Sequence, residues 1–92
     1  MKLEWDKKKN TENKEKRGLD FRDAELVFDG ETVTFLDDRC DYGEERYITM
    51  GSLEGRLVII VHTIRGESIR VISMRKGNAR EEKIYRKRLE KD

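Results

Sequence analysis

Apolar residues are sparse along this chain and concentrated where they occur. Leu57 to Ile64 is almost continuously apolar and β-branched, the pattern of a central strand covered on both faces. Arg65-Gly66-Glu67 supplies a turn, with Gly66 free to take a positive φ. Ser68 to Arg75 returns as the partner strand. Strict alternation puts Ile69, Val71, Ser73 and Arg75 on one of its faces and Arg70, Ile72 and Met74 on the other. Upstream, Glu31 to Leu36 sets Val33 and Phe35 against Thr32 and Thr34. Glu45 to Met50 alternates again, and Gly51 to Gly55 turns into the central strand.

Helical signals flank these strands. Asp6 is placed to cap a helix over Lys7–Arg17 that Gly18 ends. That helix has almost no apolar side chain, so its spacing predicts little packing and a mobile segment unless a partner covers it. Asp20 caps a second helix near 21–29, with Phe21, Ala24 and Val27 or Phe28 as its stripe and Gly30 as its stop. Asn78, with Glu81 three residues on, opens a third near 79–89, whose inner stripe is Ile84, Tyr85 and Leu89. Lys2 to Trp5 alternates like a short edge segment in which Leu3 and Trp5 share a face. Trp5 suits either a plug at the sheet edge or an anchor for a partner. The order reads α-α-β-β-β-β-α: one α+β domain over residues 1–92 with a four-stranded, mainly antiparallel sheet.

Composition limits what such a domain does. With 92 residues, 35% hydrophobic and 45% charged, the core is small. Cys40 is the single cysteine, so no intrachain disulfide forms and a reducing compartment is expected. Cys40 and His62 cannot make an ordinary zinc site, and neither a phosphate loop nor a calcium loop is present, so no metal or cofactor is expected. No apolar run approaches the roughly 20 residues of a membrane span, and MKLEWDKKK lacks the apolar centre of a signal peptide. A cytoplasmic protein with no membrane role is the expectation. The net charge of +1 argues against a purely electrostatic nucleic-acid binder. Its distribution is uneven: residues 31–56 hold three basic and seven acidic side chains, residues 57–92 ten basic and five acidic.

Candidate chemistry therefore lies in the basic third: Arg65, Arg70, Arg75 and Arg80, with His62, Ser73 and Tyr85. Arginine presents a planar fork of donors that matches phosphate geometry. Several on one sheet face would hold a phosphodiester and stabilise the charge developing as it is cleaved. RNA carries its own nucleophile, the 2′-hydroxyl, so the protein need only position it, stabilise charge and move protons. His62 or Tyr85 is the candidate for proton transfer. The same residues have plainer readings. The arginines suit cross-strand pairing with Glu44, Glu45 or Glu67, His62 suits a satisfied core histidine, and Tyr85 suits the helix stripe. A Ser73/His62/Asp triad can be written down, but nothing in the sequence brings it together.

These residues also carry a resemblance. Glu4-Trp5-Asp6, Asn13 and Lys16-Arg17-Gly18-Leu19-Asp20-Phe21, with Ala24, Val27 and Phe28, resemble the opening of the BrnT family of toxins. Glu44-Glu45-Arg46-Tyr47-Ile48 with Gly51 is similar to its second strand. His62-Thr63, Arg65-Gly66, Ile69-Arg70-Val71-Ile72-Ser73, Arg75-Lys76, Arg80-Glu81 and Tyr85 resemble its most distinctive block. The chain departs from the pattern at Lys7, where the family has proline, and at Gly77-Asn78, where it has Ala-Thr. The resemblance implies a RelE-like fold and an endoribonuclease toxin, metal-independent, that inhibits translation as half of a type II toxin–antitoxin pair. It further implies a BrnA-type ribbon-helix-helix antitoxin that reaches operator DNA on the toxin's behalf, and RNA as substrate. The alternative is a non-catalytic module whose basic third docks a protein or nucleic acid.

Overall fold

In the computed structural model, which describes residues 1–90, the apolar run becomes β4 (Arg56–Arg65), the middle strand of a five-stranded sheet. Leu57, Val58, Ile59 and Ile60 are all buried, so both parities are covered as a central strand requires. β3 (Arg46–Leu53) and β5 (Ser68–Lys76) flank it antiparallel, and β2 (Val33–Asp37) pairs antiparallel with β3. The expected four strands are joined by a fifth. β1 (Lys2–Trp5) runs parallel to β5, with Leu3 beside Ile69 and Trp5 beside Val71, so the sheet is mixed, in the order β1-β5-β4-β3-β2. Four residues of alternation carry no signal for a partner more than 60 positions away, and only tertiary pairing shows it.

Two faces follow from the register. On the first, Val58 and Ile60 meet α2 (Ala24–Phe28) and a 3₁₀ turn (Phe21–Asp23), in a core with Leu19, Phe21, Val27, Val71 and Met74. The expected helix over 21–29 is thus two short pieces. Asp20 caps the first through the Arg22 amide. Leu3, Trp5 and Phe28 pack on the rim of this core, which places Trp5 at the sheet edge. On the second face, Met50, Leu57 and Ile59 pack with Phe35, Ile48 and Tyr85, the last from α3 (Ala79–Glu90).

β5 does not keep strict alternation. Ser73 pairs with Val61 but Val71 pairs with His62, so Ile72 is an extra residue opposite the Val61/His62 step. The bulge puts Met74 on the face of Val71, where both are buried, and turns Ser73 and Arg75 onto the face of Arg70. This corrects the face assignment that alternation gives.

α1 (Lys7–Arg17) docks without an apolar stripe, and asparagines hold it in place. β1 stops beside Val71, which leaves the later part of β5 as an open edge. Buried Asn13 covers it, accepting from the Met74 amide at 3.4 Å and donating to the Leu19 carbonyl at 2.9 Å. Asn10 accepts from the Phe21 amide at 2.8 Å and donates to Asp20. The helix belongs to the monomer fold. Gly77, where the resemblance expects alanine, is pinned as well. Its amide donates to the Leu57 carbonyl at 2.9 Å, and an added Cβ would fall 2.5 Å from Leu57 Cδ2.

Candidate phosphate-binding trough

Strand register sorts the second face into transverse lines. Asp37 pairs with Arg46, Thr63 with Arg70, and Arg70 with Glu4. The Thr63 hydroxyl donates to the Glu45 carbonyl at 2.6 Å, joining the two halves of this line across β3 and β4. The next line is Phe35, Ile48, Val61 and Ser73; the one after is Val33, Met50, Ile59 and Arg75. Successive lines stand about 6.7 Å apart, two residues of strand rise. α3 closes the far end, where the Tyr85 hydroxyl donates to the Glu31 carbonyl at 2.8 Å. Between them lies a trough. Half-buried Ile48, Val61 and Ser73 form its floor, with Arg46 and Arg70 along one side and Arg75 along the other.

Each arginine is held by a carboxylate. Arg70 donates to Glu4 at 2.9 Å. Arg75 grips Glu81 with both prongs, at 2.9 and 2.6 Å. Glu81 is itself fixed by a reciprocal cap, accepting from the Asn78 amide while its own amide donates to the Asn78 side chain at 2.8 Å. The hydrogen bonds between the two hold the Glu81 carboxyl below its ordinary range and raise Arg75 above its own. Because the cap orients Glu81 and Glu81 orients Arg75, the start of α3 fixes the trough's far wall.

Three further cations reach this face: Arg39, Arg46 and, 5.0 Å over the Phe35 ring, Arg88. Arg39, in the loop after β2, donates to both oxygens of Asp37 at 2.8 Å, and its charge is felt at Arg75. The Asp37 side chain is wholly buried, and its bonds from Arg39 hold its pKa down to about 2. Arg46 lies over the Tyr42 ring, 4.1 Å from its centroid. Arg46 was legible, since it alternates with Ile48 and Met50 on β3. Arg39 was not, because nothing in a polar loop marks which side chain folds back.

Of the residues expected at a site, Arg70, Ser73 and Arg75 come together, and Arg65 stands at the trough's outer end, 3.7 Å from Glu44. His62 does not join them. It sits on the first face, 5% exposed, with Nε2 2.7 Å from the Thr49 hydroxyl, stacked on Tyr47 and edge-on to Phe28. Burial pushes its pKa down to about 4, so it is neutral near pH 7. The Tyr85 hydroxyl is occupied by Glu31, and desolvation raises its pKa. Arg80 lies on the outer side of α3 with Lys83, Ile84 and Lys87, away from the sheet. Among the described residues, no group of three His, Cys, Asp or Glu side chains is placed to hold a metal ion, and no helix is long and apolar enough to cross a membrane.

Residues 5–81 match a family described as the ribonuclease toxin, BrnT, of type II toxin–antitoxin systems. No curated protein shows significant sequence similarity to the chain.

Proposed function

We propose, from the premise that this chain belongs to the BrnT family of ribonuclease toxins of type II toxin–antitoxin systems, that the arginine-walled trough is where RNA is cut. The bulge at Ile72 carries this reading, because it brings Arg70, Ser73 and Arg75 onto one accessible face. Single-stranded RNA lies along the trough with one phosphate between Arg70 and Arg75. The 2′-hydroxyl oxygen attacks that phosphorus and the bond to the 5′ oxygen breaks. One product ends in a 2′,3′-cyclic phosphate and the other in a 5′-hydroxyl, with the proton given up at the 2′ oxygen balanced by the one gained at the 5′ oxygen. Arg70 and Arg75 hold the phosphate and stabilise the charge that grows on its free oxygens. Their carboxylate partners keep the guanidinium groups oriented before substrate arrives, so little reorganisation is needed as the reaction proceeds. The Ser73 hydroxyl, between them, donates to the same phosphate. No metal takes part in this scheme. His62 and Tyr85 support it as parts of the fold, one in the first core and the other fastening α3.

The partner in this reading is a BrnA-type ribbon-helix-helix antitoxin, which covers the trough and alone touches operator DNA. A second reading, docking without cleavage, draws support from the outer side of α3, where Arg80, Lys83, Arg86 and Lys87 surround Ile84, which is 38% exposed. Single substitutions Arg70→Ala and Arg75→Ala separate the two. Loss of growth arrest with antitoxin co-purification retained supports cleavage in the trough. Retained growth arrest in both variants, or loss of antitoxin binding in step with toxicity, supports docking.

A further inference from the structure

The loop between β2 and β3 presents a planar pair beside the trough. The Arg46 guanidinium lies 4.1 Å from the Tyr42 ring centroid, and the Tyr42 hydroxyl donates to buried Asp37 at 3.3 Å. The loop backbone is also set: Gly43 takes φ +76°, and its amide donates to the Asp41 carboxylate at 2.9 Å. Glu44 holds Arg46 at Nε, 3.4 Å away. Tyr42 and Arg46 both remain half-exposed after these contacts. A cation over a ring at a solvated site adds little to stability, so fold maintenance is a weak reason for so many restraints. Position offers a better one. Arg46 occupies the same transverse line as Thr63 and Arg70, next to the trough wall that would hold a phosphate.

We propose that Tyr42 and Arg46 form a base-stacking subsite, which takes a nucleobase of single-stranded RNA adjoining the phosphate held by Arg70. This rests on the RNA-cleaving reading above. Unpaired bases stack on aromatic rings and on guanidinium planes, and stacking tolerates any base because each has a π face. The subsite therefore selects single strands over duplex, whose bases already stack on one another.

Binding of a twelve-nucleotide RNA tests this, with every ribose 2′-O-methylated so that it is not cut. It is compared with the same backbone lacking its bases. The wild-type protein is expected to bind the base-bearing strand roughly tenfold or more tightly than the abasic one. Tyr42→Ala should bind both alike, while Tyr42→Phe keeps the preference. Equal binding of the two strands by the wild type, or a preference that survives Tyr42→Ala, overturns the subsite and leaves the trough untouched. A preference lost in Tyr42→Phe as well assigns the effect to the hydroxyl and overturns stacking. Failure of the wild type to bind either strand contradicts both the subsite and the RNA-cleaving reading.

Discussion

Arg70 and Arg75 share one face of the sheet although an odd number of positions separates them on the same strand. The extra residue at Ile72 is the cause, and without it one of the two would point into the first core. A single irregularity in pairing thus decides whether two guanidinium groups stand on the same face of the sheet.

The bulge makes a stability prediction that alternation reverses. Met74 lies fully buried among the first core, whereas Ile72 is half-buried at the sheet edge. Met74→Ala should cost about 2–5 kcal/mol, and Ile72→Ala about 1 kcal/mol or less. Urea denaturation of the two variants measures both. A larger cost at Ile72 would mean that the strand keeps its simple alternation.

Asn13 makes a second. Asn13→Ala leaves the Leu19 carbonyl and the Met74 amide without their partner, at a cost of about 1–3 kcal/mol. Amide exchange at Met74 should accelerate more than the global loss of stability accounts for. Exchange at Met74 that is slow and unchanged in the variant would show that something other than α1 covers the edge.

Much of this architecture was legible because local pattern and global fold agree. Leu57–Ile60 is apolar at both parities and becomes the central strand; Asn78 and Glu81 read as a cap and form one. The failures share a cause. β1 pairs in parallel with a strand far along the chain, and four residues cannot announce that. No glycine or proline marks the bulge at Ile72. α1 lacks an apolar stripe and so looks unattached, yet two asparagines dock it through hydrogen bonds that no periodicity reveals. At the trough, the β5 arginines were visible as residue types, but their common face depended on the bulge. Arg39 depended on Asp37 being buried at the end of β2.

His62 predicts how stability depends on pH. Its pKa is about 4 when folded, against an ordinary 6.5. Between those values the unfolded chain binds a proton that the folded chain refuses. This contribution is therefore fully present above about pH 6.5, is lost as pH falls, and levels off near pH 4. Between pH 7.5 and pH 5 the loss is about 2 kcal/mol. Carboxylates titrate over part of the same range, so the readout is the difference in pH slope between the wild type and His62→Gln. Identical slopes would show that His62 titrates normally in the folded protein.

Product chemistry separates cleavage in the trough from every other outcome. Purified protein is incubated with single-stranded RNA in excess EDTA, and the ends of the fragments are identified. The expected ends are 2′,3′-cyclic phosphate and 5′-hydroxyl, with cleavage reduced about 100-fold or more in Arg75→Ala, which removes a donor aimed at the developing charge. Arg75→Lys should recover only part of it, since an ammonium cannot keep the two-pronged pairing with Glu81 that orients the charge. Cleavage that vanishes with EDTA and returns with Mg²⁺, fragments with 5′-phosphate ends, or full activity in Arg75→Ala would contradict it.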